Sequence, residues 1–228
     1  MIQARSAWRQ GRLGLALLII LCWVAACTQA HGQADKTVPP FTGPASSAES
    51  GEQTAVLAGG CFWGVDAVFK HVRGVSQVVS GYAGGTAETA TYDLVSTGGT
   101  GHAESVQITF DPSRVSYAQL LRIFFAVAHD PTQVGGQGPD MGPQYRSAIF
   151  FTTADQQAAA QAYVDQLNRA KVFPKRIATE VVPLKKFYPA EAYHQNYLAR
   201  HPENPYIVFN DLPKLAELQQ KFPTMYHQ

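Results

Sequence analysis

Apolar residues recur along this chain with two different periods, and the switches between them mark out its elements. Short runs that alternate apolar with polar residues, or stay apolar throughout, occupy Ala55–Ala58, Val75–Tyr82, Ala103–Phe110, Ser147–Phe151 and Ile177–Val182, and have the lengths and compositions of strands. Between them the apolar positions return every three or four residues, which predicts helices. The first runs from Phe62 to Val72, with Phe62, Val65, Val68, Phe69 and Val72 on one side. A second follows Ser116, whose spacing to Gln119 makes a capping box, and a third follows Thr153, with Gln156 three residues on. Two shorter helices are expected over Ala190–Arg200 and Pro213–Gln220. The first six elements read β-α-β-β-α-β, so the predicted fold is α+β, a ferredoxin-like split βαβ sandwich with a mixed sheet and C-terminal additions. The connections Ala83–His102 and His129–Arg146 are long and irregular, and a binding pocket is expected in them.

The N-terminal residues break this pattern. Arg5, Arg9 and Arg12 lead into the apolar run Leu13–Val24, which is too short to cross a bilayer comfortably and reads as an export signal. Val24-Ala25-Ala26-Cys27 resembles a lipoprotein processing box, with Cys27 as the lipid attachment point; the alternative is ordinary secretory cleavage nearby, such as after Ala30, with Cys27 discarded. Residues 1–27 are thus expected to be a signal peptide and lipobox, residues 28–53 a flexible tether rich in Pro, Ser, Gly, Ala and Gln, and residues 54–228 the folded domain. The expected location is outside the cytoplasm, in a periplasm, with a lipid anchor in a membrane. Eighteen basic side chains face seventeen acidic ones, a balance that signals no nucleic-acid partner.

With Cys22 inside the apolar run and Cys27 in the processing box, Cys61 is the lone thiol of the folded domain, and no disulfide framework can form there. It follows a strand and Gly59-Gly60 and precedes a helix, where unsatisfied backbone N–H groups and the helix dipole favour a thiolate. The plainer alternative is a small buried hydrophobe, which is what most free cysteines are. Strand phase places Glu104 on one face with Val106, Ile108 and Phe110; a carboxyl on an apolar face keeps its proton to higher pH and can donate it near neutrality, the alternative being a strand-end glutamate that simply reaches solvent or a salt bridge. Phe62 and Trp63 follow the thiol directly and could be core alone, while Tyr82 and Tyr92 stand in the segment before Glu104 and Tyr145 at the end of the second long loop. Rings of this kind pack well on a thioether or sulfoxide methyl, and tyrosines supply O–H donors for a sulfoxide oxygen.

Gly60-Cys61-Phe62-Trp63-Gly64 resembles the active-site signature of the peptide methionine sulfoxide reductase A family. Further blocks resemble that family's motifs in order: Gly81-Tyr82-Ala83-Gly84-Gly85, Tyr92, Gly101-His102-Ala103-Glu104, His129-Asp130-Pro131, Gln137 to Ser147, and Ala190 to Gln195. The resemblance implies that Cys61 is the nucleophile, that Phe62 and Trp63 hold the substrate's methyl group, and that Glu104 protonates the sulfoxide oxygen. It also implies that Tyr92 and Tyr145 hydrogen-bond that oxygen and that Asp140 completes the polar side of the site. The implied substrates are oxidised proteins and free methionine-S-sulfoxide, with a Cys61 sulfenic acid as intermediate and no metal, flavin or nucleotide. Many members carry resolving cysteines near the C-terminus; after Pro205-Tyr206 this chain continues Ile207-Val208-Phe209-Asn210 without one. An external thiol, such as a thioredoxin-like protein, is therefore the expected reductant.

Two other readings are compatible with parts of the sequence. Cys61 could pair with His129 or His194 and Asn196 as a cysteine protease does, although the local motif differs. A lipid-anchored binding module would leave Cys61 inert. Metal binding is weaker, since His102 with Glu104 and His129 with Asp130 lack the spacing of a zinc site.

Overall fold

The computed structural model describes residues 37–44 and 51–228; the signal peptide, Cys27 and the rest of the expected tether lie outside the described residues. Its strands are β1 (Gln53–Gly59), β2 (Val75–Ala83), β3 (Ala103–Phe110), β4 (Gly136–Gln137), β5 (Asp140–Met141), β6 (Ser147–Phe151), β7 (Glu180–Pro183) and β8 (Phe187–Pro189). Its α-helices are α1 (Phe62–Lys70), α2 (Tyr92–Val95), α3 (Tyr117–Ile123), α4 (Ala154–Arg169), α5 (Tyr197–Arg200) and α6 (Leu212–Lys221). Six strands form one sheet in the order β7-β6-β1-β3-β2-β8, and β4 pairs with β5 in a separate small hairpin. The central β6-β1-β3-β2 stretch is antiparallel throughout and is the split βαβ arrangement; β7 adds in parallel at one edge and β8 antiparallel at the other.

Period-two alternation sorts the side chains of the central strands. Ala55 and Leu57 of β1 join Val106, Ile108 and Phe110 of β3 in the main core, beneath Val65, Val68 and Phe69 of α1 and Tyr163 and Leu167 of α4. Val56 and Ala58 point the other way, into a smaller cluster with Ala103, Ala148 and Phe150 that Val182, Leu184 and Phe187 cover. Because β1 lies in the middle and is covered on both faces, its apolar run is nearly continuous.

Several boundaries differ from those expected. The Ser116 capping box is complete, with Ser116 Oγ accepting from Gln119 N–H at 3.2 Å and Gln119 Oε1 accepting from Ser116 N–H at 2.8 Å. After α3 the chain widens into one π-turn, Phe124–Ala128, before His129 becomes extended. The last expected strand begins at Glu180 rather than Ile177, because Ile177 N–H is taken by Asn168 Oδ1 at 3.0 Å and Ala178 N–H by Pro131 O at 2.7 Å. The helix expected over Ala190–Arg200 is broken into a 3₁₀ turn, Ala192–His194, and α5, since Asn196 lies in the left-handed region with φ 54°. Gln195 explains the break. Its carboxamide accepts from Ser80 N–H at 3.0 Å and donates to Ser80 O at 2.9 Å, imitating a strand residue beside β2.

Residues 37–44 belong to the stretch expected as tether, yet they pack as a strap. Val38 is buried, its carbonyl accepts from Arg122 Nε at 2.8 Å, Tyr163 Oη donates to Pro39 O at 2.6 Å, and Gln166 bonds both Pro40 O and Thr42 N–H. Phe41 adds a tilted ring contact on Tyr163 at 5.5 Å. Two apolar residues and the fixed φ of Pro39 and Pro40 are enough to hold an aperiodic segment when a polar, aromatic helix face receives it.

Candidate active site

Cys61 is the N-cap residue of α1, placed there by the bend at Gly60, which follows Gly59, the last residue of β1. Gly60 has φ 91°, and a Cβ on it would stand 2.7 Å from Gln137. Gly64 is also required: a side chain there would collide with Asp211 Oδ1 and Lys214 Nζ.

The helix start does not make Cys61 acidic, contrary to the expectation from its position. The thiol is 8% exposed, and burial pushes its pKa well up, with the carboxylates of Glu104 and Asp211 pushing further; only Trp63 N–H works in the other direction. The first amide of the helix is spent elsewhere, because Phe62 N–H donates to Glu104 Oε2 at 3.0 Å. A helix N-terminus has a fixed number of free donors, and here a carboxyl has taken one from the thiol.

Glu104 lies at the end of β3 on the core side and is 2% exposed. Desolvation raises its pKa to about 8, against the pull of the Phe62 hydrogen bond and with a contribution from Asp140. At neutral pH it therefore holds a proton beside the thiol, as its strand phase suggested. With Glu104 neutral, its push on Cys61 disappears, so the two groups titrate as a linked pair.

The two long loops close over this pair. Burial, and after it the charge of Glu104, raises the phenols of Tyr92 on α2 and Tyr145 in the second loop, with Cys61 and Asp140 also contributing to both. Asp140, on β5, accepts a hydrogen bond from Tyr206 Oη, and Tyr206 is raised by burial and then by Cys61. Trp63 stacks flat on Tyr197 at 3.7 Å and 6°, meets Tyr206 edge-on at 5.9 Å, and donates from Nε1 to His194 Nδ1 at 3.2 Å. Phe62 lies 5.0 Å from the His194 ring and 5.9 Å from Tyr82. Glu191 ties the first loop down, accepting from Tyr82 Oη at 2.8 Å and Tyr92 N–H at 2.9 Å.

Cys61, Phe62, Trp63, Tyr92, Glu104, Asp140 and Tyr145 thus converge. Sequence reading missed Tyr206, Tyr197 and Asp211 as members of the surroundings, and named His194 only as a partner for Cys61 in a protease and as part of a motif block, not as a partner of Trp63. Tyr206 stands in an apolar stretch that reads as core, and its partner is sixty-six residues away. Asp211 is fully buried, paired with Lys214 at 3.1 Å, and no period or motif announces it.

Two of the histidines invoked by the other readings, His129 and His102, have both ring nitrogens held by protein partners. His129 Nδ1 donates to Phe124 O at 3.1 Å and its Nε2 accepts from Ser147 Oγ at 2.6 Å, and burial pushes its pKa down to about 3. His102 clasps the first loop, accepting from Gly85 N–H at 3.2 Å and donating to Thr86 O at 2.9 Å. Among the described residues, no cluster of three His, Cys, Asp or Glu could hold a metal ion.

A buried thiol next to a proton-holding carboxyl suits acid-assisted attack on an electrophilic centre, and the proteins this chain is similar to are oxidoreductases acting on a sulfur group. The family model "Peptide methionine sulfoxide reductase" matches residues 53–226, and the chain belongs to the peptide methionine sulfoxide reductase A family. It is 57% identical over 181 residues to peptide methionine sulfoxide reductase MsrA 2 of Mesorhizobium japonicum, covering 79% of this chain and 93% of that one. It is 53% identical over 174 residues to the MsrA of Thermus thermophilus, covering 76% and 97%. Among solved structures it resembles methionine sulfoxide reductase A of Corynebacterium diphtheriae, with TM-score 0.58, 36% identity and 68% and 77% coverage. It also resembles reduced Mxr1 from Saccharomyces cerevisiae, with TM-score 0.63, 31% identity and 73% and 94% coverage. Membership implies methionine sulfoxide reduction and repair.

Proposed function

We propose that the protein reduces methionine-S-sulfoxide, in oxidised proteins and as the free amino acid, through a sulfenic acid on Cys61 that an external thiol removes. The observation that carries this reading is the buried Cys61–Phe62–Glu104 arrangement, in which a carboxyl that keeps its proton to about pH 8 adjoins the domain's lone thiol.

Phe62 and Trp63 wall the space for the substrate methyl, while the O–H groups of Tyr92 and Tyr145 receive the sulfoxide oxygen and Asp140, held by Tyr206, completes the polar side. Glu104 gives its proton to the oxygen, which makes the substrate sulfur electrophilic. Cys61 then bonds to that sulfur and its proton passes to the Glu104 carboxylate. Glu104 returns that proton to the hydroxyl, which leaves the substrate sulfur as water. Water then attacks the Cys61 sulfur, the sulfur–sulfur bond breaks with its electron pair going to the thioether, and Glu104 takes up the released proton. Cys61 is left as the sulfenic acid, oxidised by two electrons, and the substrate is reduced by two. A thiol attacks the sulfenic acid, forming a mixed disulfide and water, and a second thiol returns Cys61 to its reduced form. The resting thiol is protonated, so the thiolate forms only as the substrate oxygen takes up charge.

Both thiols in that last step come from outside. The chain has three cysteines, and Cys22 and Cys27 stand in the leader, so a thioredoxin-like protein or a small thiol fits as reductant. The basic leader, its short apolar run and Val24-Ala25-Ala26-Cys27 support export as a periplasmic lipoprotein anchored at Cys27, which mass spectrometry of the mature N-terminus tests.

Incubation with separated S and R epimers of a blocked methionine sulfoxide and dithiothreitol tests the reaction. Selective loss of the S epimer is expected, and equal loss of both, or of neither, overturns the reading.

A further inference from the structure

The Trp63–His194 contact has consequences beyond packing. An indole nitrogen can only donate, so His194 Nδ1 must present a lone pair to it at 3.2 Å, and in the neutral ring the proton sits on Nε2. That Nε2 is buried and, among the described residues, has no hydrogen-bond partner. The ring is 2% exposed and is clasped by Phe62 at 5.0 Å, Tyr92 at 4.4 Å and Tyr193 at 4.3 Å between centroids. Among the described residues Trp63 has no second polar side-chain contact, and its flat stack on Tyr197 and its edge contact with Tyr206 would allow the indole to slide in its own plane.

We infer that His194 is a positioning residue, which as the neutral Nε2–H tautomer holds the Trp63 indole in register and so keeps the methyl-binding wall in place. The inference rests on the proposed role of Trp63 in that wall. A proton on Nδ1 would set two donors against each other, turning the bond into a repulsion inside a water-poor site. The groups facing the ring fix how readily this happens. From α1 come Phe62 and Trp63, which carry no charge, and from α2 the Tyr92 phenol, behind which lie Glu104, Cys61 and Asp140. From its own turn come the Tyr193 phenol and the Glu191 carboxylate, which is already engaged by Tyr82 and Tyr92. Burial holds the His194 pKa below the ordinary histidine value, and Glu191 opposes that. The hold on Trp63 is thus secure at neutral pH and fails in acid.

Trp8 and Trp23 are the other two tryptophans of the chain, so Trp8→Phe and Trp23→Phe in the full-length protein leave Trp63 as the sole emitter. Its fluorescence, titrated from about pH 7, below the range in which Glu104 loses its proton, to about pH 4, should show one step with a midpoint below that of a free histidine. His194→Asn keeps an acceptor near the Nδ1 position and cannot titrate; it should abolish the step and hold KM for the sulfoxide within about threefold over the range. His194→Leu removes the acceptor and should raise KM about tenfold at every pH, the equivalent of one hydrogen bond, with the saturated single-turnover rate much less affected. Persistence of the step in the Asn variant, or an unchanged KM in the Leu variant, overturns the inference. The emission step needs no turnover, so an inactive wild-type protein that still shows it would defeat the reductase reading and leave the His194–Trp63 coupling standing.

Discussion

Two buried ionisable side chains adjoin the turn that presents Cys61, and they do opposite things with their protons. His129 packs on Gly59, where a Cβ would stand 3.0 Å from its ring, and both of its nitrogens have protein partners. Glu104 receives, among the described residues, one hydrogen bond, from Phe62 N–H, and lies in the field of Asp140 and Cys61. Burial keeps both neutral at pH 7, the histidine by removing a proton and the glutamate by retaining one. A satisfied neutral group is inert; an acid that is buried and only partly satisfied can still hand its proton to a ligand. The contrast teaches that burial alone does not mark a reactive group, and that the number of its partners does.

Removing the thiol gives the largest effect. Cys61→Ser should abolish sulfoxide reduction at every pH while leaving the circular dichroism spectrum unchanged, because a hydroxyl of similar volume cannot supply the attacking sulfur. Substantial turnover by a folded Ser variant would sink the assignment. Glu104→Gln should slow the single-turnover chemical step by roughly 10²–10⁴-fold and flatten the alkaline limb that otherwise falls near pH 8. A Gln variant with an unchanged rate and pH profile would put Glu104 in the same inert class as His129.

Tyr206→Phe comes next, since it strips Asp140 of its hydrogen-bond donor. A charge-assisted bond of this kind is worth about 1.5–3 kcal/mol, so kcat/KM should fall about ten- to a hundredfold. An unchanged kcat/KM would confine Asp140 and Tyr206 to scaffolding.

Glu104 was legible because a strand writes its faces into alternate residues, so one carboxyl among Val106, Ile108 and Phe110 declares itself. The Ser116 cap and the four central strands were legible for the same reason, each being settled by a few adjacent residues. β8 escaped notice because it is three residues long and pairs with β2 only through Gly81 to Ala83. The break at Asn196 escaped because its cause, Gln195 bonding Ser80, crosses 115 residues. Tyr206, Asp211 and the strap at residues 37–44 share that property: their partners are distant in sequence and leave no local period. The thiol's high pKa was misjudged for a related reason. Position predicts a helix N-terminus, but which group takes its amides is decided by β3 arriving from elsewhere in the chain.

The opposed protonation of the two residues also predicts opposed contributions to stability. His129 has a folded pKa of about 3 against an ordinary 6.5, so its contribution is fully present above pH 6.5 and is lost as pH falls. Glu104 has a folded pKa of about 8 against 4.5, so its contribution is fully present below pH 4.5 and is lost as pH rises through 8. Between pH 4.5 and 6.5 the unfolded chain protonates the one and deprotonates the other, and the two slopes cancel. Glu104→Gln removes only the falling slope. Relative to wild type its urea-unfolding free energy should climb with pH by up to about 1.4 kcal/mol per unit through that window, and continue to gain toward pH 8. His129→Gln should do the reverse, gaining on wild type as pH falls below 6.5, whatever constant penalty it carries from disturbing Ser147 and Phe124. Unfolding curves for the three proteins that stay parallel from about pH 4 to about pH 8 would show that neither group is held neutral by burial, and the comparison between them would fail.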